Sequence, residues 1–168
     1  MREVLTNPIH GFYMEKTVLG SNGHFITSPD IRSRLVDRNQ IYFNISSSSQ
    51  MFGECVGAWI LNEWMKMGCP AEFQLVELGP GRGTLTSDVL RTLSKLEPGC
   101  LEGASVHLVE VSSKMQQLQK DTLCGMGSTR DVCLQGPPVS WYDHIAEVPR
   151  QFSIFIGELE QVLSIVII

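Results

Sequence analysis

The sequence predicts an α/β fold built around a parallel sheet, and three observations carry this prediction. First, the apolar run from Phe73 to Leu78 has the length of a buried strand, and a glycine-rich turn follows it. Second, helical spacing resumes at Thr84. Third, a second apolar run, Ser105 to Val111, is followed by a second helical pattern. Because strand-helix-strand crossovers are right-handed, the two strands are expected to be parallel and adjacent.

The first 49 residues predict an arm rather than a core. Residues 1–31 are dense in Pro and Gly, which favours loops and short turns. Residues 32–48 combine basic residues with most of a serine run, a composition typical of a loop. The second part, residues 50–168, carries the strand and helix patterns.

Three helices are predicted in this second part. The first begins at Gln50 and ends before Gly68 and Pro70, which are stop signals. The second ends at Pro98, and the third is capped by Ser112. Their expected inner faces are, in order, Met51, Phe52, Cys55, Val56, Trp59 and Ile60; Leu85, Val89, Leu93 and Leu96; and Met115, Leu118 and Thr122.

Further strands are predicted towards the end of the chain. Asp131 to Leu134 is a candidate short strand, and Phe152 to Ile156 is a candidate buried strand. The apolar ending, Leu163 to Ile168, is expected either to complete a sheet or to leave an exposed edge.

Composition excludes several classes of function. The net charge of −5 argues against a nucleic-acid-binding surface, and no apolar run reaches the length of a membrane span. No signal or transit peptide is visible at the start. The five cysteines are scattered and never form Cys-x-x-Cys, so neither a disulfide framework nor a metal site is expected. They suit a reducing compartment as small buried side chains.

The glycine turn reads Glu-x-Gly-x-Gly-x-Gly from Glu77 to Gly83. A phosphate-binding P-loop would require Gly-Lys-Ser/Thr, and no lysine lies between Glu77 and Arg91. The dinucleotide fingerprint fits less well, because Thr84 or Thr86 occupies its last position, so an NAD-dependent oxidoreductase is the weaker alternative. The turn resembles the first motif of S-adenosylmethionine-dependent methyltransferases.

Two carboxylates accompany the turn at the carboxyl ends of the predicted strands. Glu77 ends the first strand, and Glu110 ends the second. Glu110 follows the glycines at about the interval of a ribose-binding acid, and a carboxylate accepts both ribose hydroxyl protons. The alternative for Glu110 is a solvated residue or one that pairs with Lys114.

Several segments, taken together, match one known pattern. They are Met1 to Pro8, Gly11 to Tyr13, Gly23 to Ile31, Gln50 to Glu54, Phe73 to Leu85, Val106 to Ser112, Val139 to Tyr142 and Val148 to Pro149. In this combination the chain resembles the MidA family over nearly everything outside residues 32–48 and the last dozen residues.

The resemblance implies a Rossmann-like S-adenosylmethionine-dependent methyltransferase fold whose parallel sheet is incomplete at the C-terminus. It also implies a protein arginine methyltransferase that uses S-adenosyl-L-methionine, forms symmetric dimethylarginine on a complex I subunit and supports complex I assembly. The implied location is the mitochondrial matrix, and the implied partner is a protein substrate.

The resemblance also assigns residues. Glu77, Gly79, Gly81 and Gly83 match the cofactor loop, and Glu110 matches the ribose acid. Thr27, Ser28 and Pro29 belong to the N-terminal signature, which is expected to border the cofactor or the acceptor. Because a bound arginine is a cation that must shed a proton, Glu54 and Glu158 are the carboxylates expected to act in catalysis.

The chain departs from the family pattern at three places. His24 replaces an expected Asp, residues 32–48 interrupt one motif, and Gly157 to Ser164 is a degraded form of an acidic motif. The predicted organisation is therefore an N-terminal arm, 1–49, with an inserted loop at 32–48, and a partial Rossmann-like domain, 50–168. The alternative function is a catalytically inactive, truncated fragment that binds the cofactor or a partner.

Overall fold

A computed structural model describes residues 42–150, 153–159 and 162–167. The chain divides into two compact units, residues 1–52 and residues 53–168. The described part of the first unit is the beginning of one helix. The sequence-based division into residues 1–49 and 50–168 stays a prediction.

The described elements alternate between helices and strands. In chain order they are α1 (Tyr42–Lys66), β1 (Phe73–Leu78), α2 (Thr84–Leu96), a 3-10 turn (Pro98–Leu101), β2 (Ala104–Val109), α3 (Ser113–Cys124), β3 (Val139–Tyr142), a 3-10 turn (Ile145–Glu147), β4 (Ser153–Leu159) and β5 (Val162–Ile167). None of these helices is both long and apolar enough to cross a membrane.

The strands of the second unit form a five-stranded sheet in the order β3-β2-β1-β4-β5. The first four strands are parallel, and β5 is antiparallel to β4. This sheet confirms the predicted α/β fold, including the parallel pairing of β1 with β2. The apolar ending of the chain supplies β5, at one edge of the described sheet.

The hydrophobic cluster that joins the helices to the sheet lies on one face of the sheet. The inward positions of β1, β2 and β4, such as Leu75, Val106 and Ile154, are almost completely buried. Side chains of α1, α2 and α3 belong to the same buried cluster, including Ile60 and Leu90. Burying these side chains on a shared face is the main force that fixes the helices on the sheet.

Helices α1 and α2 pack closely because glycine lies where α1 contacts α2. A Cβ atom added to Gly57 would lie 2.8 Å from the Cβ of Thr92, which is closer than real Cβ atoms approach. Gly53, one turn earlier, faces Asp88 in the same way. The spacing of four residues puts both glycines on one side of α1.

Helix α1 differs from its prediction at its start. It begins at Tyr42 rather than Gln50, so the predicted loop 32–48 is wrong from Tyr42 onward. The serine run continues the helix because serine is only mildly unfavourable inside one. Met51, Phe52 and Cys55, which were expected on the inner face, are exposed, whereas Val56 is buried as expected. On α2, Leu96 was also expected on the inner face and is exposed.

Three further expectations are corrected. Asp131 to Leu134 is not a strand, because its one ladder contact is an isolated bridge between Val132 and Pro138. Three cysteines are buried as expected, but Cys55 and Cys69 are exposed. The inner face of α3 is shifted by one position from the predicted one, and its buried members are Gln119, Leu123 and Cys124.

Candidate functional site

The glycine turn joins β1 to α2 in the predicted order of strand, turn and helix. Gly79, Gly81 and Gly83 have φ angles of 63°, 55° and 76°, a region that L-residues with a Cβ rarely adopt. The turn is tied to its surroundings by the N–H of Gly79, which donates to the carbonyl of Val109 at 3.1 Å. This conformation explains why the sequence carries glycine at these three positions.

The space beside the turn is open at its first glycine. A Cβ atom added to Gly79 would have no described atom within 4 Å, and Gly79 is exposed. The backbone of the turn is therefore accessible to a ligand at this point. Gly83 is different, because an added Cβ would lie 3.5 Å from the Cα of Gln119 on α3.

Glu77 lies under the turn rather than beside the open space. Its residue surface is only 5% exposed, and its carboxylate accepts hydrogen bonds from the hydroxyl and the backbone N–H of Thr86. Thr86 occupies the third position of α2, whose N-cap, Gly83, offers no side-chain acceptor. Glu77 therefore supplies the capping interaction that a serine or aspartate would supply at the N-cap.

The burial of Glu77 has an electrostatic consequence. Loss of water around the carboxyl raises its pKa from the ordinary 4.5 to about 7, and the two hydrogen bonds from Thr86 only partly oppose this. Glu77 thus changes its charge near neutral pH while it holds the start of α2.

Glu110 directly follows β2 and is partly exposed. Its Oε1 atom accepts the N–H of Ser112 at 2.9 Å, and its own N–H donates to the carbonyl of Tyr142 at 2.9 Å. Burial raises the pKa of Glu110, while hydrogen bonds from Ser112, Gln119 and Val111 lower it. The carboxylate is fixed in place and keeps acceptor capacity for further hydroxyl groups.

Strand register brings the predicted residues to one edge of the sheet. Leu78 pairs with Val109 on one side and with Gly157 on the other. The residues that follow these three are Gly79, Glu110 and Glu158, so their backbones lie side by side at the carboxyl ends of β1, β2 and β4. Ligands of open α/β sheets bind at this edge.

Gln119 is the member of this site that sequence patterns missed. It lies in the middle of α3 and has an exposed fraction of 0%. Its amide nitrogen donates to the carbonyl of Gly81 at 2.8 Å and lies 3.4 Å from Oε2 of Glu110. Its amide oxygen accepts the indole N–H of Trp141 at 3.0 Å. One side chain therefore joins the glycine turn, Glu110 and β3.

The remaining predicted residues are placed less directly. Thr27, Ser28 and Pro29 lie outside the described residues, and Glu158 is described by its backbone in β4 alone. Glu54, on α1, forms an ion pair with Arg91 at 3.6 Å, and its side chain is 44% exposed. Arg91 lies eight residues beyond Gly83, which is about 12 Å along the axis of α2 at a rise of 1.5 Å per residue.

Known proteins resemble this chain over most of its length. A family model for S-adenosyl-L-methionine-dependent methyltransferases matches residues 55–165. Proteins named "Protein arginine methyltransferase NDUFAF7, mitochondrial" from Danio rerio and Homo sapiens are 45% and 41% identical over 168 and 170 residues. The protein named as their homolog in Drosophila melanogaster is 40% identical over 168 residues.

These alignments cover almost all of this chain but only part of each relative. Each covers 94% of this chain, but only 34% to 36% of the relative's own length. The chain thus spans about a third of the length of the curated relatives it matches.

Proposed function

The chain belongs to the MidA family of S-adenosyl-L-methionine-dependent methyltransferases, and from this premise we propose that it methylates protein arginine. The observation that carries the proposal is the register that sets Gly79 and Glu110 side by side at the carboxyl edge of the sheet. In this position the glycine turn and a partly exposed carboxylate face the same region.

The residues of this edge fit S-adenosyl-L-methionine. The turn leaves its backbone open at Gly79, and Glu110 keeps acceptor capacity for two ribose hydroxyls. No lysine lies near the turn in the sequence, which suits a cofactor that has no pyrophosphate to neutralise. When bound, the cofactor supplies an activated methyl group on a positively charged sulfur. Gly79, Gly81, Gly83 and Glu110 are the proposed binding residues, and Glu77 supports them from below.

The chain's contribution to methyl transfer is orientation, exclusion of water and control of a proton. Holding two reactants in line accounts for a large part of such an acceleration. An arginine guanidinium is always charged, so carboxylates must hold it and help remove a proton. We assign these roles first to Glu158, which lies at the carboxyl edge by backbone register, and second to Glu54, whose ion-pair partner Arg91 lies about 12 Å along α2 from Gly83.

The finer features of the proposal rest on the family resemblance and on the names of the relatives. These are symmetric dimethylation, a complex I subunit as substrate, a role in complex I assembly and a location in the mitochondrial matrix. The relatives are named mitochondrial protein arginine methyltransferases, and this agrees with the class of acceptor and the organelle.

Calorimetric titration with S-adenosylhomocysteine, the demethylated product, tests the cofactor part of the proposal. We expect micromolar binding to a chain that is folded by far-ultraviolet dichroism. Glu110→Ala should weaken this binding about tenfold or more, since a hydrogen bond to a charged group is lost. Glu102→Ala is the matched control, because Glu102 is exposed and precedes β2 at its opposite end.

Two outcomes would contradict the cofactor assignment. One is that Glu110→Ala binds as tightly as the parent. The other is tight binding of NADH with no binding of S-adenosylhomocysteine, which would favour a dinucleotide site.

Transfer of labelled methyl groups to an arginine peptide tests the reaction itself. Hydrolysis of the product and chromatography would separate symmetric from asymmetric dimethylarginine. Binding of the cofactor without any transfer would instead favour a role limited to cofactor or partner binding.

A further inference from the structure

One buried polar side chain near the glycine turn, that of Gln119, contacts three separate segments of the chain. It is fully buried, although the other residues of α3 around it, such as Gln117 and Lys120, are polar and partly or fully exposed. A buried amide is stable only when its donors and acceptor are hydrogen-bonded. Gln119 meets this condition through three partners from three different segments.

Trp141 fixes which way round the amide of Gln119 lies. An indole N–H can only donate, so the atom of Gln119 that faces it at 3.0 Å must be the carbonyl oxygen. The NH₂ group is thereby directed to the carbonyl of Gly81 at 2.8 Å and towards Oε2 of Glu110 at 3.4 Å. Both of these partners can only accept.

The contact with Gly81 orients the backbone of the turn. A trans peptide is planar, so a fixed carbonyl of Gly81 also fixes the N–H of Arg82, which points the opposite way. The stem of Gln119 additionally lies within 3.6 Å of the position that a Cβ on Gly83 would occupy. Gln119 thus restricts the backbone conformation of the turn at two of its three glycines, Gly81 and Gly83.

The contact with Glu110 restrains the carboxylate from a second side. Ser112 holds Oε1 through its N–H at 2.9 Å, and Gln119 approaches Oε2. Because both of its oxygens have partners, the Glu110 carboxylate cannot rotate freely. The lone pairs that remain available for a ligand therefore have a fixed orientation.

From these contacts we propose that Gln119 is a positioning residue that sets the glycine turn and Glu110 in one mutual geometry for the nucleoside part of the cofactor, with Trp141 fixing the orientation of its amide. The inference rests on the proposed cofactor site and adds to it a coupling between its two halves. Gln119 acts through Gly81 and Glu110.

A double-mutant cycle read by S-adenosylhomocysteine binding tests this coupling. Gln119→Leu removes both donors at similar volume, and we expect affinity to fall about tenfold. In a Glu110→Gln background the same change should cost clearly less, because part of its effect has already been lost. Gln117→Leu is the control on the same helix, since Gln117 is exposed and bonds only Asp121 among the hydrogen bonds described here.

A milder variant keeps the test valid if Gln119→Leu fails to fold. Trp141→Phe keeps an aromatic ring but removes the donor that orients the amide, so we expect affinity to fall a few-fold. Carbon-13 titration of the Glu110 carboxyl adds a readout that needs no cofactor. Loss of the Gln119 hydrogen bond in Gln119→Leu should raise the pKa of Glu110.

The outcomes separate this inference from the proposed function. Parent-like affinity in both Gln119→Leu and Trp141→Phe, or strictly additive losses with Glu110→Gln, would overturn the positioning role and leave the cofactor site intact. A parent chain that does not bind S-adenosylhomocysteine would overturn both.

Discussion

The carboxylate of Glu77 accepts two hydrogen bonds from Thr86, one from its hydroxyl and one from its backbone N–H. This pair connects the end of β1 to the first turn of α2 directly beneath the glycine turn. Gly83 must adopt a positive φ at the N-cap and therefore has no side chain with which to cap the helix. The strand supplies the missing acceptor, and the turn is free to remain glycine.

Glu77 should make stability depend on pH between about 4.5 and 7. Its unfolded pKa is near 4.5, and burial raises the folded pKa to about 7. Below pH 4.5 Glu77 is protonated in both the folded and the unfolded chain, so it adds no pH dependence to the free energy of unfolding. Between the two values the unfolded chain releases the proton first, so the free energy of unfolding falls, by about 3 kcal/mol in total. Above pH 7 the loss is constant.

Glu77→Gln should remove this dependence, because an amide does not ionise. Urea unfolding from pH 4.5 to 8 should show the variant gaining stability relative to the parent as pH rises. Thr86→Val removes a hydrogen bond that lowers the pKa of Glu77. In this variant the fall in the free energy of unfolding should therefore continue to a higher pH than in the parent. An unchanged difference between Glu77→Gln and the parent over this range would contradict the assignment.

Gly83→Ala should weaken both folding and cofactor binding. A Cβ at φ 76° costs about 1 to 2 kcal/mol in backbone strain, so the turn is expected to move, whereas the 3.5 Å distance from this Cβ to Gln119 is an ordinary van der Waals contact. Gly127→Ala is the matched control, because its φ is 72° and an added Cβ would meet no described atom within 4 Å. Both variants should lose similar stability in urea unfolding, and only Gly83→Ala should lose affinity for S-adenosylhomocysteine. Equal affinity in the two variants would argue against a role for the turn in binding.

The parts of the fold that sequence could predict are those set by local patterns. The run from Phe73 to Leu78 and the three glycines after it require only neighbouring residues to be interpreted as strand and turn. The pairing of β1 with β2 follows from the handedness of one crossover. For the same reason Glu110 could be placed at the edge of the sheet.

The parts that could not be predicted depend on partners far away in sequence. Gln119 reads as an ordinary polar helix residue, because its partners Gly81 and Trp141 are 38 and 22 residues away. Its burial shifts the inner face of α3 away from Met115 and Leu118. Helix α1 extends into the serine run because helix propensity differs little between serine and most other residues.

Gly57→Ala should destabilise the chain although alanine favours helices. The added methyl would lie 2.8 Å from the Cβ of Thr92 and force α1 away from α2. Overpacking of this kind costs about 1 to 3 kcal/mol, against a gain of up to about 1 kcal/mol in helix propensity. A net loss in urea unfolding is therefore expected. Ala58→Leu, on the exposed side of the same helix, should change stability by less than about 0.5 kcal/mol. A more stable Gly57→Ala would contradict the close packing.

Substitutions of Glu54 and Glu158 should lower the rate of methyl transfer without changing cofactor binding. If their carboxylates hold the acceptor guanidinium, Glu54→Gln and Glu158→Gln should each lower the rate of methyl transfer about tenfold or more, with affinity for S-adenosylhomocysteine unchanged. Glu54 is 44% exposed in its ion pair with Arg91, so its replacement should cost little stability. Glu63→Gln is the matched control, since Glu63 lies on the same helix and pairs with Lys66 at 2.8 Å. Parent rates in Glu54→Gln would assign that residue to its ion pair alone and leave Glu158, at the carboxyl edge of the sheet, as the carboxylate to hold the substrate.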